Sequence, residues 1–203
     1  MHRILALGDS YTIGEGVDPS GSWPAQLRSK LEIEGFKMSD LPILARTGWT
    51  TEELDQAIQE ADINPVFDMV TLQIGVNDQY RGYPLERFQK GYIGLIQQAL
   101  GFADERSERV VAVSIPDWGV TPFAMGRDVI KIAKEIDLFN AAARSLASEY
   151  GLIWIDVTEA SRAAGDQADL LASDGLHPSA LQYKKWVELI SPTIMNSLST
   201  KGA

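Results

Sequence analysis

The chain has 203 residues, with 18 Lys+Arg against 28 Asp+Glu, two histidines and no cysteine. Its net charge of −10 repels phosphate backbones and anionic lipid surfaces, which argues against nucleic acid as a partner. Without cysteine there are no disulfides, thiolate nucleophiles, Fe–S clusters or cysteine-ligated zinc. His2 and His177 alone are too few for an HExxH site or a three-histidine metal centre, so no metal or cofactor is expected. A composition of 45% hydrophobic and 23% charged residues is that of a folded soluble protein, and the length fits one domain over residues 1–203. The apolar stretch at residues 4–7 is too short for a signal-peptide core, and no apolar run approaches the roughly 20 residues that span a bilayer. The expectation is a cytoplasmic protein without integral membrane association.

In chain order, the apolar run at residues 4–7 predicts a strand closed by Gly8. Ser22 caps a predicted helix over residues 24–34, with Leu27 and Leu31 four apart and Gly35 as its stop. A weaker strand follows around residues 41–45. The run Thr50-Thr51-Glu52-Glu53 has a capping-box pattern and leads into Leu54, Ile58 and Ala61 on one helical face. Residues 69–74 form the third predicted strand, ending in Gly75, and Pro84 opens a helix carrying Leu85, Phe88, Tyr92, Leu95 and Ala99. Residues 110–115 are the fourth strand, closed by Pro116. Val129, Ile132, Ile136, Phe139, Ala143 and Leu146 mark a long helix ended by Gly151. Residues 152–157 are the fifth strand, and a last helix begins near Pro178, passes Leu181, Trp186 and Leu189, and kinks at Pro192.

The apolar runs do not alternate in polarity, which suits strands buried on both faces of a parallel sheet. The βαβαβαβαβα order predicts a single-domain, doubly wound, flavodoxin-like three-layer α/β/α sandwich around a mainly five-stranded parallel sheet.

Ligands of such sheets bind beyond the carboxyl ends of the strands. The loops there read Gly8-Asp9-Ser10, Arg46-Thr47-Gly48-Trp49, Gly75-Val76-Asn77-Asp78 and, after a longer connection, Asp174-Gly175-Leu176-His177-Pro178. His2 lies at the opposite end of the first strand, so His177 is the imidazole within reach of Ser10. One tight turn can bring Asp174 beside the His177 ring, although Asp166 and Asp169 are alternatives for that place. Asp9 and Asp78 read as braces of their own loops.

Gly8-Asp9-Ser10, Gly48, the Gly-x-Asn-Asp of Gly75 to Asp78 and the Asp-x-x-His of Asp174 to His177 resemble the four blocks of the SGNH-hydrolase, or GDSL esterase/lipase, family, in its order and spacing. The resemblance implies Ser10 as nucleophile, His177 as general base and then acid, and Asp174 as the group that orients the imidazole. It also implies an oxyanion hole from the backbone N–H groups of Ser10 and Gly48 and the side-chain amide of Asn77. The capped helix near Thr51 is expected to point its positive end at the same place.

Tyr11, Trp49, Tyr80, Trp118 and Phe123 lie near these loops, and Tyr11, Trp49, Trp118 and Phe123 are the candidate substrate contacts. Residues 116–126, apolar, aromatic and punctuated by glycine and proline, read as a wall or lid for an acyl or alkyl group. The implied function is hydrolysis of carboxylic esters (short acyl, aryl or lysophospholipid-like, or thioesters) through an acyl-enzyme on Ser10, with a small-molecule ester as partner. A carbohydrate O-deacetylase or an acyltransferase would use the same site. The contrasting reading is a non-catalytic module that binds a small ligand. Against a nucleotide-binding module, Pro19 stands where a dinucleotide fingerprint needs its third glycine after Gly14-Glu15-Gly16. The Gly-x-Ser-x-Gly nucleophile elbow of α/β-hydrolases is absent too.

Overall fold

A computed structural model describes residues 1–61, 63 and 66–199. In chain order the strands and helices are β1 (His2–Gly8), α1 (Ser10–Ile13), α2 (Trp23–Ile33), β2 (Met38–Asp40), β3 (Ile43–Ala45), α3 (Thr51–Glu60), β4 (Met69–Gln73), α4 (Val76–Tyr80), α5 (Leu85–Phe102), β5 (Val110–Val113), α6 (Val129–Glu149), β6 (Ile153–Ile155), α7 (Thr158–Arg162) and α8 (Ala180–Ser199). The sheet runs β2-β1-β4-β5-β6, with β3 also on β1, and every pairing is parallel.

The second predicted strand is two short ones. Both β2 and β3 pair with β1, His2 opposite Met38 and Ala6 opposite Ile43, and Leu41-Pro42 interrupts them. Proline has no N–H to offer the ladder, but its carbonyl still accepts from Ala6 N at 3.0 Å, so both pieces stay on one line beside β1. Counted as one, they give the flavodoxin-like order 2-1-3-4-5.

Ile4, Leu5, Ala6 and Leu7 of β1 and all of β4 are buried, as unbroken apolar runs require when helices cover both faces. Helix α2 packs on α8, while α3 packs on α5 and α5 on α6, the two helical layers. Thr50 closes the predicted capping box, its hydroxyl accepting from Glu53 N while Glu53 reaches back to Thr50 N. Helix α8 runs through Pro192 without ending. Three short helices, α1, α4 and α7, occupy segments the periodicity leaves as loops, because four or five residues are too few to show a 3.6-residue period.

Buried Gln73, at the end of β4, ties the strand tips together. It accepts from Trp23 Nε1 at 3.1 Å and Thr12 Oγ1 at 3.5 Å and donates to the Ser114 carbonyl at 3.1 Å. Asn140 of α6 grips the start of the next loop through both Ile115 N and O, at 2.9 and 3.0 Å. Among the described residues no helix is long and apolar enough to cross a membrane.

Candidate active site

The four loops come together at the carboxyl edge of the sheet. Strand β1 ends at Gly8, where a Cβ would sit 2.1 Å from Thr12 Oγ1 and 2.6 Å from the Gln73 carbonyl oxygen, so only glycine fits. Asp9 then caps α1, its Oδ1 accepting from Tyr11 N at 3.0 Å, which makes Ser10 the first helical residue. Its N–H therefore has no acceptor within the helix. Ser10 is 4% exposed and lines a pocket of about 160 Å³.

Gly48 holds φ at +85°, a conformation side chains rarely adopt, and its carbonyl accepts from Arg81 Nη2 at 2.6 Å. Arg81 is paired in turn with Glu53, the capping-box residue of α3. On the other side, Thr47 Oγ1 donates to the Glu15 carboxylate. Asn77, near the start of α4, donates from Nδ2 to the Trp49 carbonyl at 2.9 Å. An amide nitrogen carries two hydrogens, so this bond orients Asn77 and leaves one donor.

Asp174 Oδ1 accepts from Leu176 N at 2.9 Å and His177 N at 3.0 Å, and its Oδ2 lies 2.7 Å from His177 Nδ1. Burial pushes this carboxyl up, but the His177 ring and the two backbone N–H groups outweigh it and hold Asp174 below the ordinary aspartate range. Of the three aspartates open to this place from sequence, Asp174 takes it. The segment is pinned by Ala172 N donating to the His177 carbonyl at 2.8 Å. The His177 ring is 7% exposed as a residue and packs on Tyr11, centroids 5.3 Å apart.

Ser10, Tyr11, Gly48, Asn77 and His177 share the one pocket with Thr47, Val76, Tyr80, Trp118, Phe123 and Leu176. Trp49 is not part of this lining: its ring is half-buried against the core, and its carbonyl is what contacts the site, through Asn77. Tyr80, near these loops in sequence but not among the expected substrate contacts, belongs to the pocket, T-shaped against Trp118 at 5.3 Å. The segment after β5 makes two 3-10 turns, Trp118–Val120 and Pro122–Ala124. Asp117, pairing with Arg162 at 3.0 Å, and Trp118, donating to Gln79 at 2.8 Å, anchor it.

The positive end of α3 is not turned to the pocket for use. Its first N–H, Thr51 N, goes to Asp78 Oδ2 at 3.0 Å, so a carboxylate already answers the helix dipole. Asp9 is also buried: its Oδ2 has no hydrogen-bond partner among the described residues, and burial, helped by the Asp78 charge, pushes its pKa up to about 7 against the Tyr11 N–H bond. Among the described residues no group of three His, Asp or Glu side chains is placed to hold a metal ion. A larger polar cleft of about 700 Å³, lined by Asp137, Arg144, Glu159 and Arg162, lies along α6, β6 and α7 and contains no imidazole.

Several solved structures share this architecture. TesA superposes with a TM-score of 0.71 at 21% identity over 96% of this chain and 99% of its own. The psychrotrophic esterase EstA from Pseudoalteromonas sp. gives 0.70 at 17% identity, covering 98% and 100%. The acetyl xylan esterase AlAXEase gives 0.74 at 18% identity, covering 95% and 99%. At these identities the likeness is one of fold. No curated protein matches the chain in sequence. Residues 6–185 match the GDSL-like Lipase/Acylhydrolase family, nearly the whole of the fold just described, and the chain belongs to that family of ester-hydrolysing enzymes.

Proposed function

We propose that the protein is a serine esterase whose single catalytic domain spans the chain and whose nucleophile is Ser10. The observation that carries this reading is the 2.7 Å contact of Asp174 Oδ2 with Nδ1 of His177, whose ring lines the same pocket as Ser10, Gly48 and Asn77. A proton on Nδ1, shared with the carboxylate, leaves the Nε2 lone pair as the base.

In the reaction, Ser10 Oγ attacks the ester carbonyl carbon while its proton passes to His177 Nε2. The carbonyl oxygen becomes an oxyanion that accepts from Ser10 N, Gly48 N and the second hydrogen of Asn77 Nδ2. Collapse breaks the bond to the alcohol, which leaves with the proton from His177. Water then attacks the acyl-enzyme by the reverse sequence and releases the acid. Asp174 stays ionised throughout and stabilises the imidazolium, in keeping with its lowered pKa.

The pocket's small volume and aromatic lining suit a short acyl or aryl group, with thioesters and lysophospholipid-like esters in the same chemical class. A fluorophosphonate should add covalently to the folded protein, and Ser10→Ala should abolish both adduct and ester turnover. Folded wild type that takes no label refutes this reading.

A further inference from the structure

Arg3, Arg28, Arg81, Arg87, Arg106 and Arg162 each hold a carboxylate. Arg127 holds aromatic rings instead. Its guanidinium carbon lies 5.2 Å from the Tyr80 centroid, 5.3 Å from Trp118 and 5.2 Å from Phe123, and Nη2 donates to the Tyr80 hydroxyl at 3.2 Å. Among the described residues it meets no carboxylate. These same three rings line the pocket of Ser10 and His177. Tyr80 and Phe123 are 44% and 40% exposed, and Arg127 is exposed with them over the buried Trp118, so the outer side of the cluster is open to solvent.

The rings attract the guanidinium through their π faces, and apart from the one donor given to the Tyr80 hydroxyl they leave its N–H groups, a planar fork that matches carboxylate and phosphate, unspent. The rings and the Tyr80 bond also restrain the side chain beforehand, which lowers the entropy cost of gripping a ligand. On a chain of net charge −10, a cation left without a carboxylate at the substrate pocket has a recognisable use: it offsets the general repulsion of an anionic substrate.

We propose that Arg127 is a specificity-determining residue that selects esters carrying a carboxylate or phosphate group. The inference rests on the serine-esterase reading above and names its substrate class. Arg127 does not itself line the pocket, whereas its three rings do, so the anion is set apart from the reacting carbonyl by an apolar spacer lying along Tyr80, Trp118 and Phe123.

The test compares matched anionic and neutral esters. One arm places the charge on the acyl side, 4-nitrophenyl hydrogen adipate against 4-nitrophenyl hexanoate. The other places it on the leaving group, 4-acetoxybenzoate against its methyl ester. In at least one arm the wild-type ratio of kcat/KM, anionic over neutral, should exceed one by about fivefold or more, and should shrink as salt is raised. Arg127→Gln should collapse that ratio, Arg127→Lys should keep part of it, and Arg28→Gln, which removes the same charge from the middle of α2, should leave it as in wild type. A wild-type ratio near one in both arms, or a ratio unmoved by Arg127→Gln, overturns the proposal. Binding of the non-hydrolysable 4-acetamidobenzoate and its methyl ester, measured by calorimetry, reads the same preference without turnover. A protein that hydrolyses none of the esters thus refutes the serine-esterase reading, while the two Kd values and their change in Arg127→Gln still decide the role of Arg127.

Discussion

Asp78 binds Thr51 twice, accepting the backbone N–H at 3.0 Å on Oδ2 and the hydroxyl at 2.7 Å on Oδ1. This pair joins the start of α3, three residues after Gly48, to α4, which carries Asn77. Burial pushes the Asp78 carboxyl up, and the two Thr51 bonds work against that shift. Asp78→Ala strands two buried donors and is expected to cost about 2–3 kcal/mol in urea unfolding. Asp78→Asn keeps one acceptor and should cost about 1 kcal/mol. In both, kcat should fall more than KM rises, because the displaced groups, Gly48 and Asn77, are the proposed oxyanion donors.

Asp9 predicts an unusual pH dependence of stability. An unfolded chain gives up this proton near pH 4, whereas the folded protein holds it to about pH 7. Between those values the folded state binds more protons than the unfolded state, so stability falls as pH rises, and the full penalty is present above about 7. Asp9→Asn keeps an oxygen for Tyr11 N and cannot ionise. Relative to the variant, wild type should lose about 2–3 kcal/mol between pH 5 and pH 8 in chemical denaturation. Parallel curves for the two proteins would contradict a buried, titrating Asp9.

Asn77→Ala removes the amide donor and the bond to the Trp49 carbonyl together. Loss of one oxyanion donor typically costs about 2.7–4 kcal/mol of transition-state stabilisation, so kcat should drop by about 10²–10³ with KM little changed. Stability should fall by only about 1 kcal/mol, the worth of one hydrogen bond. Steady-state kinetics beside thermal unfolding separates the two; equal losses in binding and turnover would argue against an oxyanion role.

Phe123→Ala opens the aromatic wall at a ring that is 40% exposed, so little stability is at stake. The preference across 4-nitrophenyl esters should move toward longer acyl chains by one or more methylenes, each worth about 0.8 kcal/mol when buried. An unchanged chain-length profile, with Ser10 still reactive, would show that Phe123 does not bound the acyl group.

The parallel sheet, the helices between its strands and the edge at which the four loops gather are legible in the residues alone. Those rest on local properties: unbroken apolar runs, caps, and turn residues at strand ends, each set by neighbours along the chain. The resemblance of the Gly8-Asp9-Ser10 and Asp174-to-His177 blocks points to Ser10 with His177, a pairing that the absence of cysteine and the place of His2 at the other end of β1 leave open. Tertiary structure decided what depends on meetings between distant segments. The spacing favours Asp174 and leaves Asp166 and Asp169 as alternatives; which carboxylate meets the ring depends on how the turn folds, and Asp174 is the one that does. Trp49 turned its carbonyl rather than its ring to the site, Tyr80 joined the pocket, and Arg127 came to lie over three rings from separate segments. Side-chain direction at a loop follows from packing across the fold, and one-dimensional periodicity carries no record of it.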